Sequence, residues 1–249
     1  MSDTPEPRPL VVSSSPHVST AETVPGIMRR VLIALLPACA AALWFFGIDA
    51  LGVILLASAA CVGFEALFLR LRGLPGTEVR AALLDGSALV TGILLALNLP
   101  SSAPWWMTLV GALVAMGLGK HIYGGLGQNP FNPALVARVF LLIAFPAAML
   151  TWTAPVDGFM QTSEARLALD QQALDGMTYA TPLGKAKEAV RAGADPQKLS
   201  ALMQQVRTDY PMSALFLGNV GGSLGEVSAL ALLLGGLFLL WRRVITWHV

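Results

Sequence analysis

Residues 27–70 read IMRRVLIALLPACAAALWFFGIDALGVILLASAACVGFEALFLR. Two apolar runs stand out in this stretch, Ile27–Ile48 and Ala50–Leu69, with Asp49 between them. Each is close to the roughly 20 residues that a helix needs to cross a hydrocarbon core of about 30 Å. Arg29 and Arg30 stand at the leading edge of the first run, and Arg70 and Arg72 follow the second. The pattern predicts two membrane-spanning helices joined at Asp49. Glu65 interrupts the second run. A carboxylate inside an apolar span is a functional candidate by default, although Arg70 is near enough in sequence to pair with it.

The rest of the chain agrees in composition. Of its 249 residues, 55% are hydrophobic and 12% charged, and the mean hydropathy is +0.66. A soluble domain carries about 25% charged residues, so lipid is the expected solvent for most of this chain. The net charge of +1 suggests no nucleic-acid partner. Cys39 and Cys61 lie in separate apolar runs with no Cys/His cluster nearby, and they read as small packing residues. An iron–sulfur cluster or zinc site carried by this chain alone is not expected.

Residues 1–26 are rich in Pro, Ser and Thr and read as a disordered or surface-lying arm without signal-peptide character. Residues 27–151 hold the first set of membrane helices. After the first two runs, Met107–Gly119 leads into Lys120, and Ala134–Thr151 forms another span with Arg138 near its start. Gly86–Leu99 is short, capped by Asp85-Gly86-Ser87 and closed by Asn98-Leu99-Pro100. It fits either a half-helix or re-entrant element, or a tilted ordinary span lengthened by Leu83 and Leu84. Residues 213–249 hold a Gly-rich segment and a last span, Glu226–Trp241, followed by Arg242 and Arg243. With the N-terminus on the cytoplasmic side, the basic residues of the short loops all fall on that side. The polar segment 152–212 then lies on the outer, periplasm-like face, and it is long enough to form a small folded cap. The expected fold is all-α, a polytopic transmembrane helical bundle with short re-entrant or broken helices and a small extracytoplasmic loop domain.

Three islands could carry chemistry. The first, DGMTYATPL at 175–183, reads locally as a turn in which Thr181 caps a helix ahead of Pro182. The second, GKHIYGGLGQNPFNP at 119–133, is costly for a simple loop near lipid. Its Asn129 and Asn132 offer amide groups suited to a flavin or quinone edge, or alternatively satisfy their own backbone in a helix-breaking turn. His121 within it reads as an interfacial polar residue. The third, LGNVGGSLGE at 217–226, could present backbone N–H groups to a phosphate, though Gly-rich re-entry into the bilayer is the commoner explanation of such a stretch. Glu226 would suit a helix N-terminus.

Taken together, four stretches resemble the RnfD family of the Rnf electron-transport complex and, more distantly, the NqrB component of the sodium-translocating NADH:quinone reductase. They are DGSALVTGILLALNLP, GKHIYGGLGQNPFNPALVARVF, DGMTYATPL and LGNVGGSLGEVSALALLLGG, and the resemblance covers roughly Ile27 to Trp241. The family's flavinylation motif has the form Asp-x-x-[Ser/Thr]-Gly-Ala-Thr. Asp175, Thr178, Ala180 and Thr181 match it, while Tyr179 stands in place of the Gly. The resemblance implies FMN joined covalently, as a phosphoester, to Thr181 by a flavin transferase. It also implies a second, non-covalent flavin near Asn129 and Asn132. The family's members usually continue with further spans past the point where this chain stops, at Val249, and those spans complete an internal repeat.

The resemblance further implies a bacterial inner-membrane subunit of an ion-translocating ferredoxin:NAD oxidoreductase. It would carry electrons on FMN and couple their flow to Na⁺ or H⁺ movement. Its partners would be the other membrane and peripheral subunits, including flavin- and iron–sulfur-bearing ones, and membrane lipid. A transporter or channel without redox chemistry would use the same broken helices and intramembrane Glu65. A purely structural assembly subunit would need neither. The DGMTYAT stretch favours the redox reading over both.

Overall fold

The spine of the computed structural model is a helix of 48 residues, α1 (Val24–Leu71). The structure describes residues 22–153, 200, 204, 212–218 and 221–248. Thr23 starts α1, its hydroxyl accepting a hydrogen bond from Gly26 N–H at 3.3 Å, and Pro25 occupies the first turn, where its missing N–H costs nothing. Gly47 breaks it, with φ 65° and ψ −142°, a conformation close to the region that only glycine adopts freely.

The break folds the chain back on itself. Met28, in the first limb, packs on Gly86. Glu65, in the second, shares Lys120 with Ser87, the very next residue. A straight helix would hold Met28 and Glu65 about 55 Å apart. Residues 24–46 and 48–71 are therefore two limbs, each about 35 Å long. The runs expected at 27–48 and 50–69 are both helical, and the junction is the single residue Gly47 rather than a loop at Asp49.

By length and composition α1 is the one described helix able to cross a membrane. Only 28% of its most apolar window is buried, where a core helix of a soluble protein would be mostly covered. Leu36, Trp44 and Leu55 are at least 60% exposed on its outer faces, as lipid-facing residues would be.

Two helices follow that are bent by 49° at their junction, α2 (Gly76–Leu84) and α3 (Ser87–Leu97). The bend sits at Gly86, φ 82°, and Asp85 Oδ1 accepts the Ser87 N–H at 2.6 Å, so the expected cap is present. A straight, tilted span is excluded. At about 16 Å, α3 reaches half-way across a hydrocarbon core. Next come α4 (Trp105–Val114), a π-helical segment Ala115–Lys120 and a 3₁₀ turn His121–Tyr123.

The span expected at Ala134–Thr151 is instead two pieces, α5 (Pro133–Ala144) and α6 (Pro146–Leu150). Pro146 has no N–H to continue the ladder and turns Phe145 out of helical geometry, φ −134° and ψ 57°. After α7 (Met212–Leu217), the last helix is α8 (Ala229–Trp241). It starts three residues later than the sequence suggests, because Ser228 is the cap and accepts Ala231 N–H at 3.2 Å. All described elements are helices; no strand occurs among the described residues.

Small residues set the packing. Ala34, Ala38 and Ala42 form a buried stripe on the first limb, and α8 crosses it with Gly235 directly over the Ala34 carbonyl. On the second limb, α3 approaches so closely that a Cβ at Gly92 would lie 2.6 Å from Ser58 Cα and 2.9 Å from Ala57 O. Close backbone approach through small residues is how helices associate where lipid removes the hydrophobic drive.

This contact is testable. Gly92→Val should lower the stability of the detergent-purified protein by at least the roughly 1–3 kcal/mol of an overpacked core, read as a drop in thermal unfolding midpoint. Gly63→Ala, which meets nothing within 4 Å, should leave the midpoint unchanged. Equal midpoints for Gly92→Val and wild type would refute the close crossing.

Candidate functional site

The short helix α3 has a charged cluster at each end. At its N-terminal end, the π-helical turn of 115–120 carries one residue more per turn than an α-helix and delivers Lys120 inward. The Lys120 side chain is 3% exposed, as is that of Glu65. Its ammonium donates to Glu65 Oε1 at 2.8 Å, Glu65 Oε2 at 2.7 Å and Ser87 Oγ at 2.7 Å. All three donors of the ammonium are thus used. His121 stands beside them, its Nε2 3.5 Å from Glu65 Oε2, an electrostatic contact too long for a hydrogen bond.

Two ions buried in an apolar helix layer each lose several kcal/mol of hydration, which only close mutual contact offsets. Here that contact is bidentate and completed by a hydroxyl. Gly119 makes the approach possible, since a side chain there would strike Pro133 of α5.

The C-terminal end of α3 is closed by the Gly-rich segment and by α5. Gly225 N–H donates to Leu97 O at 2.7 Å, and Leu224 N–H to Leu99 O at 3.1 Å. Two of the backbone donors that could have received a phosphate are therefore occupied, by the carbonyl of Leu97 at the end of α3 and that of Leu99 just beyond it. Arg138 of α5 donates from Nη1 to Asn98 Oδ1 at 2.6 Å and from Nη2 to Glu226 Oε1 at 3.1 Å. Glu226 is thus the partner of Arg138, and it precedes α8 instead of opening it.

Asn129 and Asn132 line one cavity with Lys120, Ser87, Thr91 and Met28, of about 200 Å³. Both amides also serve the backbone. Asn132 Oδ1 caps α5 by accepting Ala134 N–H at 2.9 Å, and Asn129 Nδ2 donates to Phe131 O at 2.9 Å. The wall of the cavity therefore combines an ammonium, two hydroxyls and two amides, with the Lys120 donors already taken by Glu65 and Ser87. Asp175, Thr178, Ala180 and Thr181 lie outside the described residues.

One sequence expectation changes: Glu65 pairs with Lys120, not with Arg70, because the fold-back and the π turn bring together residues far apart in the chain. The side chain of His121 is 6% exposed. Lys120 and Ser87 are the residues that sequence reasoning missed. The signal available for Lys120 was charge balance: a lone carboxylate in an apolar span calls for an intramembrane cation, and Lys120 directly follows the apolar run Met107–Gly119.

Residues 11–249 match the NQR2, RnfD, RnfE family. The chain is 41% identical to proteins named as the D component of the ion-translocating oxidoreductase complex. In those of Escherichia coli O1:K1 / APEC and Shigella boydii serotype 18, the alignment covers 96% of this chain and 68% of the relative.

The buried pair makes a sharp prediction. Glu65→Leu or Lys120→Met alone should each destabilise by about 3–5 kcal/mol, leaving one unpaired buried charge. The double substitution should recover most of that loss in thermal midpoint and membrane yield. Additive losses in the double variant would contradict the pairing.

Proposed function

This chain belongs to the NQR2, RnfD, RnfE family, and from that premise we propose that it is a membrane subunit of an ion-translocating ferredoxin:NAD oxidoreductase. It carries electrons on an FMN esterified to Thr181 and couples their flow to Na⁺ or H⁺ movement. The observation that carries this reading is the DGMTYAT stretch at 175–181 within a chain matched to the family from residue 11 to its last residue.

In this reading the two limbs of α1 cross the inner membrane with the N-terminus on the cytoplasmic side. Segment 152–212 then lies on the periplasmic face. Thr181 supplies the hydroxyl oxygen of the phosphoester, which a flavin transferase forms. Asp175, Thr178 and Ala180 present that hydroxyl to the transferase. A tether of this kind needs no deep pocket, so a shallow cap on the membrane surface is sufficient. FMN supplies one- and two-electron transfer when bound. Other subunits, bearing flavins and iron–sulfur clusters, deliver and remove the electrons.

The cavity lined by Asn129, Asn132 and Lys120 suits the second, non-covalent flavin. Its volume, about 200 Å³, is below the roughly 300–1,000 Å³ of a typical ligand pocket. It therefore fits one polar edge of a ring system, with the rest lying outside. Lys120 would hold positive charge towards that edge while Glu65 balances it from behind. The same pair is the natural intramembrane element for ion coupling, since a carboxylate there is a binding group for Na⁺ or H⁺ once its ammonium partner moves.

Co-expression with a flavin transferase should give a flavin-fluorescent band of this polypeptide on a denaturing gel. Its intact mass should rise by one FMN phosphoester increment. Thr181→Ala should remove both signals. An absent band, or fluorescence that survives Thr181→Ala, would point instead to a transporter without redox chemistry, which the broken helices would also serve.

A further inference from the structure

A groove of about 580 Å³ runs between the second limb of α1 and the helix formed by α4 and its π-helical extension. Its walls include Phe68, Leu71, Leu113 and Ile122, its floor passes Gly117, and no carboxylate lines it. Leu71 is 73% exposed and Ile122 65%, so nothing described covers these walls. From Leu113 to Ile122 the groove extends about 14 Å along the helix axis. That is half of a hydrocarbon core of about 30 Å, the depth of one leaflet.

Two polar groups break the apolar lining, both at the same end. Arg72 stands at the mouth, with Nη1 donating to Gly124 O at 3.3 Å. That single contact fixes the guanidinium while leaving most of its five donors to face outward, in a fork geometry matched to phosphate oxygens. His121 lies further in, its side chain buried; its Nε2 stands 3.5 Å from Glu65 Oε2, while its Nδ1 has no hydrogen-bond partner among the described residues. A buried ring nitrogen without a partner, on a residue that lines a groove, marks a place where a polar ligand atom belongs. This end also carries Arg70 and Arg80, and the charge bias assigns it to the cytoplasmic leaflet, whose anionic lipids attract such residues.

We propose that this groove is a binding site for one anionic glycerophospholipid. Its phosphate sits on the Arg72 guanidinium, an ester carbonyl accepts from His121, and an acyl chain follows Gly117 and Leu113 down one leaflet. The three parts of the lipid match the groove in order: charge at the mouth, a polar linkage at His121, then hydrocarbon. The glycine at 117 keeps the floor level, since a Cβ there would press on Phe68 at 3.2 Å. The site is separate from the Asn129/Asn132 cavity and rests only on the membrane part of the function proposed for the chain.

The test uses the intact complex, purified and reconstituted in nanodiscs of phosphatidylcholine with or without phosphatidylglycerol. Native mass spectrometry should find phosphatidylglycerol retained on this chain in preference to phosphatidylcholine. Arg72→Gln should cut that retention about tenfold, the loss expected for one charge-assisted hydrogen bond. Gly117→Leu should displace both lipids by filling the floor, and Arg80→Gln, outside the groove, should change nothing. Equal retention of the two lipids by the wild type would overturn the proposal. So would an Arg72→Gln result equal to that of Arg80→Gln, or a partner helix occupying the groove in the assembled complex. Any of these would leave the membrane and flavin readings standing; a chain absent from the membrane fraction would defeat the membrane reading itself.

Discussion

The arrangement of this protein depends on an ion pair that water cannot reach. Glu65 and Lys120 are each 3% exposed, and neither could be buried alone without a penalty of several kcal/mol. Lys120 is held by both carboxylate oxygens and by Ser87, so three elements are locked at one point: the second limb of α1, the π-helical turn after α4, and the start of α3. The register of these helices is therefore specified by polar contact, where apolar packing alone would let them slide. The Arg138–Asn98–Glu226 cluster does the same at the other end of α3.

That geometry is reached through small residues. Gly47 lets α1 reverse without a loop, at φ 65°. The reversal places the alanine stripe of the first limb against α8 and the second limb against α3. Gly92 and Gly235 then allow backbone-to-backbone approach at the two crossings. Larger side chains at these points would push the helices apart, and at Gly92 would move α3 with its Ser87 away from the second limb that carries Glu65.

The three sequence islands take on different roles in the fold. The stretch 119–133 supplies one partner of the ion pair, the wall of a polar cavity and the cap of α5. Within 217–226, the backbone donors of Leu224 and Gly225 bond the carbonyls of Leu99 and Leu97, so this part of the segment closes the C-terminal end of α3. The stretch 175–183 keeps its meaning from its motif alone.

The helical class, the apolar runs at 27–48 and 50–69 and the cap at Asp85–Ser87 were readable from the sequence alone. These follow from composition, period and local capping, which act over a few residues. Glu65 was legible as a buried carboxylate for the same reason, because an apolar run with one charge can be read by eye. Its partner was not. Lys120, Ser87 and the lipid-sized groove beside His121 exist only once α1 has folded back and the π turn has rotated the end of α4. Residues separated by dozens of positions are brought together by packing at glycine and alanine contacts, and no local pattern encodes which of several cations will arrive. The same holds for Glu226, which the sequence sets at a helix start and which instead stands three residues before α8, paired with Arg138 by the docking of the Gly-rich segment on α3.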